Sequence, residues 1–253
     1  LKIEALCRLD RIREAHTVCD QIILHETDEI DAVCMDISLI FLSVLDMESA
    51  LKYLNIGDNY NPNNIELLFD LAFCHESMMN SHKAVQVYKR IIDINPYSQE
   101  GWFNLGQIYF NQQEYASALN AYNYAQVIHP NDSLTCLQKA HTQFHLQQYT
   151  DAIETYLEYE QMSDDLWQCH LYMAECYERL ETFKRALHYY ELSYKENEDN
   201  YDALTGISIC LIEMERFQEG AEYAKKAIAI QEEAADAWVY LAEAYTGMDD
   251  TDN

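Results

Sequence analysis

The sequence predicts an all-α fold, a solenoid of antiparallel helix pairs, on three observations. Small residues recur at a fixed interval: Ala50, Ala84, Ala118, Ala152, Ala186 and Gly220 each lie 34 residues from the next. Around them apolar residues fall at i+3 and i+4, which lines one face of a helix, and no strand-like alternation interrupts the pattern. Glycine and proline are few and are expected mostly at turns. A unit of this length is one supersecondary element that buries its apolar face only against its neighbours.

Taken in order, the first unit (1–30) is partial. Ala15, Cys19 and Ile22 occupy the positions of a second helix, and its first helix reads as cut short before Leu1. The unit 31–64 follows with Cys34, Ile37, Ser38, Phe41, Ala50, Leu54 and Pro62, and with Gly57, a poor residue inside a helix. Unit 65–98 keeps Leu68, Leu71, Ala72, Ala84, Tyr88, Ile91 and Pro96 in phase.

The cleanest unit is 99–132: Trp102, Leu105, Gly106 and Tyr109 on a first helix, then Tyr115, Ala118, Tyr122 and Ala125 on a second. Pro130 ends the run, since it lacks an N–H and fixes φ. Unit 133–166 departs most. Lys139 stands where a leucine is expected, so Leu137 and Phe144 are predicted to take over the packing while Ala140, Tyr149, Ala152 and Tyr156 hold register. Unit 167–200 carries Met173, Ala174, Tyr177, Phe183, Ala186 and Tyr190, and unit 201–234 carries Leu204, Ile207, Ser208, Leu211, Phe217, Gly220, Ala224 and Ala227. A lone helix, 235–247, bears Trp238, Leu241, Ala242 and Tyr245, and 249–253 reads as a frayed acidic tail. The expectation is one continuous solenoid over 1–248, taken from a longer protein.

The pattern of 99–132 closely resembles the tetratricopeptide repeat, and the resemblance extends over nearly the whole chain. It implies a right-handed superhelix of about seven repeats with both terminal repeats incomplete. It also implies that first helices line a concave groove. On that reading the candidate ligand-binding residues are Phe69, Asp70 and Phe73 in one unit and Phe103, Asn104, Gln107 and Phe110 in the next. His141 and Phe144 follow, then Tyr172 and Glu175; Leu171 and Glu178 map to the same groove lining. Repeats of this family that clamp the C-terminal carboxylate of the large chaperones use cations and asparagines in the groove. Here only Asn104 matches, so that ligand is excluded.

Composition limits the function further. A net charge of −28 argues against nucleic acid and against an anionic membrane surface. It would attract a basic partner, and it serves equally as a solubility device. The eight cysteines are scattered without a C-x-x-C pair and several fall on core positions, which fits free thiols in a reducing, cytoplasmic setting. His141 and His145, at i+4, could hold a metal only with a third ligand such as Glu175 or Glu178, and are read as polar groove residues. No nucleotide-binding or nucleophile motif appears, so neither a cofactor nor catalysis is expected.

The function expected is therefore a non-catalytic interaction module. It would take a protein or peptide with apolar and basic residues in an aromatic-rich, acid-flanked groove. The alternative is a structural, regulatory or self-association segment of a larger multidomain protein, with self-association through open terminal repeats.

Overall fold

The computed structural model describes residues 2–25 and 28–251. Fifteen α-helices and no strands form among these residues. The chain divides into two compact units, Leu1–Ile108 and Tyr109–Asn253.

In the first unit α1 (Lys2–Arg8) pairs with α2 (Ile12–His25), α3 (Ile30–Ser43) with α4 (Met47–Tyr60), and α5 (Ile65–Ser77) with α6 (Ser81–Ile94). The helix α7 (Gln99–Asn111) spans the boundary between units. In the second unit α8 (Tyr115–Ile128) packs on α9 (Ser133–His145), and α9 on α10 (Tyr149–Glu160). The pairs α11 (Trp167–Arg179) with α12 (Phe183–Glu196) and α13 (Tyr201–Glu213) with α14 (Phe217–Ile230) follow, and α15 (Ala235–Thr251) packs on α14. From Ile65 on, every first helix starts 34 residues after the last, at 65, 99, 133, 167, 201 and 235.

The helices α4, α5, α9 and α13 start on a side-chain cap, whereas α6, α8, α10, α12 and α14 start without one. The side chains of Asp46, Asn64, Asp132 and Asn200 accept from the backbone N–H three residues on, satisfying one of the orphan donors of the first turn. The prolines lie at turns, but the glycines do not: all six are inside helices, contrary to expectation. Gly57 shows the reason. A β-carbon there would stand 2.5 Å from Leu67 Cδ1 and 3.1 Å from Cys34 Cβ, so a small residue is required where α4 crosses its neighbours.

The turns rely on something else. Leu45, Met79, Gln113, Gln147, Glu181 and Glu215, again 34 apart, are left-handed with φ between 55° and 62°. After each, the next N–H reaches back five residues, as Asn80 N–H does to His75 O at 2.8 Å, closing the first helix in a Schellman motif. Asp10 has the same conformation one residue out of register, which matches the shift of Ala15 against Ala50.

Most of the predicted anchors lie in the core, but Ile22, Trp238 and Tyr245 do not, being 40%, 49% and 47% exposed, and Ala242 is exposed as well. Ala50, Ala84, Ala118, Ala152, Ala186 and Gly220 are buried, as are Leu68, Ile91, Tyr122, Tyr156, Tyr190 and Ile207. Burying each large side chain contributes roughly 1.5–3 kcal/mol. Leu137 and Phe144 pack against the core of the second unit as expected, and Lys139 Nζ donates to Gln126 Oε1 at 2.9 Å. All eight cysteines are free and buried.

The last helix runs to Thr251, beyond the 247 expected from sequence, because Met248 packs against the cluster of Ala221, Ala224 and Leu241. Of the acidic tail read over 249–253, residues 249–251 are therefore helical and 252–253 lie outside the described residues. No helix among the described residues is long and apolar enough to cross a membrane.

Candidate functional site

The sequence-predicted residues fall on first helices in both units. In the first, α5 carries Phe69, Asp70 and Phe73. Phe69 is half-buried and meets Tyr88 of α6 edge-on, ring centroids 6.1 Å apart, whereas Phe73 is 51% exposed. Burial, with Glu66 nearby, raises the Asp70 pKa. Tyr88 donates its hydroxyl to Glu76 at 2.6 Å, and the Asn104 side chain hydrogen-bonds to the same hydroxyl. Asn104 is thus tied into the helix pair, and Phe103 and Gln107 beside it are half-buried.

In the second unit the aromatic residues converge. Phe110 at the end of α7 meets Tyr115 and His145 edge-on at 5.4 and 5.3 Å, and Tyr115 stacks on His145 at 4.8 Å. Phe144 meets Tyr172 at 5.4 Å, and His141 meets the same ring at 4.5 Å. Tyr156 lies beneath, 2.7 Å from His141 Nδ1 through its hydroxyl and stacked on Tyr172 at 6.2 Å. Burial first, and His145 second, lower the His141 pKa to about 4, so its ring is neutral at physiological pH. The two histidines are engaged by tyrosines rather than by a third ligand, and no cluster able to hold a metal occurs among the described residues.

One turn along α11 from Tyr172 stands Glu175. Burial first, then Glu178 and Asp202, push its carboxyl up to about 7, while Arg179 pulls weakly the other way. Glu175 makes no hydrogen bond or ion pair among the described residues. Glu178, by contrast, accepts from the Tyr190 hydroxyl at 2.6 Å, the same arrangement as Tyr88 with Glu76. Leu171 does not join this face. It belongs to the core cluster of this unit and is 8% exposed. The face is thus half-buried aromatics on α7 and α9 that give way to carboxylates on α11 and α13.

Sequence reasoning missed two polar networks. His16 bridges Tyr53 and Ser49 at 2.8 and 3.1 Å. His170, buried, has Nε2 3.2 Å from Glu160 and Nδ1 3.1 Å from Glu196, the second contact being an ion-pair distance without hydrogen-bond geometry. Each braces neighbouring helices within its own unit. A depression of about 430 Å³ at the turn before α12, lined by Phe183, Lys184, Arg185 and Met214, holds none of the predicted ligand-binding residues.

Residues 99–132 match the family model of the tetratricopeptide repeat. No curated protein matches the chain by sequence. Among solved structures, the C-terminal part of a tetratricopeptide-repeat protein from Cytophaga hutchinsonii is similar with a TM-score of 0.72 at 12% identity, over 95% of this chain and 98% of that one. PilF of Pseudomonas aeruginosa is similar with a TM-score of 0.64 at 17% identity, over 85% and 98% of the two chains. YrrB, described as a tetratricopeptide-repeat protein with an unusual peptide-binding site, has a TM-score of 0.66 at 14% identity, over 73% and 95%. At these identities the likeness concerns the fold.

Proposed function

We propose that this tetratricopeptide-repeat protein is a non-catalytic interaction module that binds a polypeptide segment on the aromatic faces of its first helices. The carrying observation is the convergence of Phe110, His141, Phe144 and Tyr172 on one face of the second unit. Aromatic side chains that are neither fully buried nor fully solvated are typical binding anchors, because they offer large rigid area at small entropic cost. In the first unit Phe69, Phe73 and Phe103, with Asp70, Asn104 and Gln107, form the corresponding proposed surface. Carboxylates and a net charge of −28 favour a segment that carries lysine or arginine. The peptide-binding site named for YrrB supports the class of ligand but not its identity.

The test is capture of binding proteins from an extract by the immobilised chain, compared with a variant carrying Phe73→Ala, Phe110→Ala and Phe144→Ala. Loss of specific capture with unchanged helical content is expected. Equal capture by both would sink the proposal. A second reading, self-association, is favoured by α15, where Trp238, Val239 and Tyr245 are each about half exposed. Sedimentation over a concentration range tests it: a dimer weakened by Trp238→Ala supports it, and a monomer throughout overturns it.

A further inference from the structure

We propose that the second unit reads its partner as a pair of adjacent features: an apolar side chain seated on Phe144 and Tyr172, and a lysine or arginine seated over Glu175 and Asp202. This rests on the peptide-binding reading above and adds the order and spacing of what is bound.

The argument is one of complementarity across neighbouring helices. The aromatic contribution comes from α9 and from Tyr172 at the first half of α11, where Phe144 and His141 meet the Tyr172 ring. The carboxylate contribution begins one turn later on α11 and continues onto α13, which packs against α11. Glu175 stands one turn from Tyr172 on α11, and Asp202 is in the first turn of α13, which packs against α11, so the aromatic and acidic parts adjoin. Glu178 is already committed to the Tyr190 hydroxyl, and Asp202 is exposed.

Among the described residues Glu175 has no hydrogen-bond or ion-pair partner. The charged or titratable groups around it are Glu178, Arg179, Tyr172 and Cys176 on α11, Asp202 on α13, Tyr156 on α10 and Tyr190 on α12. His141 on α9 is neutral. Arg179, the one cation in that set, is exposed. A cation supplied by a ligand would relieve the repulsion among the three carboxylates, and its alkyl stem or guanidinium plane would lie against the aromatic rings.

The geometry also gives a spacing. Packed helices lie about 8–10 Å apart, and an extended chain advances about 3.3 Å per residue. An anchor between α9 and α11 and a cation between α11 and α13 are therefore about three residues apart in an extended ligand.

A proton should be released when the cation binds. Near neutral pH the Glu175 carboxyl is partly protonated, and a cation beside it favours the ionised form. About half a proton per bound ligand is expected near pH 7, falling towards zero above about pH 8.5.

The probes are fluorescein-labelled ten-residue Gly/Ser peptides, each with one leucine and one arginine separated by one to six positions. The expected result is tightest binding at a separation near three, at least tenfold weakening when arginine becomes norleucine, and proton uptake by buffer seen in calorimetry at pH 7. Glu175→Gln with Asp202→Asn should remove the arginine preference and the proton release but leave leucine-dependent binding. Phe144→Ala should weaken every peptide alike. Binding that depends on leucine but not on arginine or spacing overturns this inference and leaves the peptide-binding reading standing. Absence of binding by every peptide, with the helical spectrum intact, overturns both.

Discussion

Replacing Glu175 with glutamine should stabilise the protein, and more so as the pH rises. The carboxyl has an ordinary value of 4.5 in the unfolded chain and about 7 in the folded one. Its folded value is raised, so the native state holds the proton more tightly than the unfolded state. The cost of ionisation is absent well below about pH 4.5, grows between about pH 4.5 and 7, and is complete above. A difference of about 2.5 units at 1.36 kcal/mol each sets a ceiling of about 3.4 kcal/mol. The same relation gives about 1.4 kcal/mol at pH 5.5 and close to the ceiling at pH 8.5. Glutamine removes the charge without breaking a hydrogen bond, since Glu175 makes none among the described residues. The advantage of Glu175→Gln should therefore widen by about 2 kcal/mol over that range. Urea denaturation of both proteins, followed by circular dichroism from about pH 5.5 to 8.5, measures it above the acidic isoelectric range. A constant difference, or one that narrows as pH rises, refutes the reasoning and means that the carboxylate is solvated or paired.

Gly206→Ala should destabilise the second unit by up to about 2 kcal/mol. The new methyl would lie 2.3–2.6 Å from the buried Tyr190 ring, an overpacking cost of about 1–3 kcal/mol against a helix-propensity gain of about 1. A higher unfolding midpoint would contradict this. Met79→Gly acts in the opposite direction. Met79 is 86% exposed with φ of 58°, so glycine relieves backbone strain without loss of packing and should stabilise the first unit by about 0.5 kcal/mol in urea. A destabilised variant would show that the turn is not strained. The native protein should react with few or no equivalents of a thiol reagent and with eight in denaturant, because all eight cysteines are buried and burial pushes Cys169, Cys176 and Cys210 up to about 12. Fast labelling of several thiols without denaturant would contradict the packing.

The anchors were legible because their requirement is chemical: a small residue at a helix crossing and an apolar one beside it can be read from residue type alone. The recurring Tyr–Glu bond was within reach of the same logic, since Tyr88 and Glu76 share their separation with Tyr190 and Glu178. The placement of Leu171 was not. Its counterparts Phe69, Phe103 and Leu137 are half-buried while Leu171 is buried, a difference of packing that periodicity does not register. The isolation of Glu175 was equally hidden. It depends on which neighbours take hydrogen bonds elsewhere, as Glu178 does with Tyr190. His170 between Glu160 and Glu196 joins three helices whose contact no single helical period encodes.

The left-handed turns give the molecule a set of natural attachment points. Leu45, Met79, Gln113, Gln147, Glu181 and Glu215 differ widely in chemistry, so the turn constrains a dihedral and leaves the side chain free. Cysteine at any of them costs about what the present residue costs, while the native thiols stay shielded in the core. Pairs such as Leu45 with Met79, or Gln147 with Glu215, would accept spectroscopic labels within one unit without removal of a native cysteine. A probe set at that fixed interval turns the repeat into a ruler for following a ligand as it settles on the aromatic face.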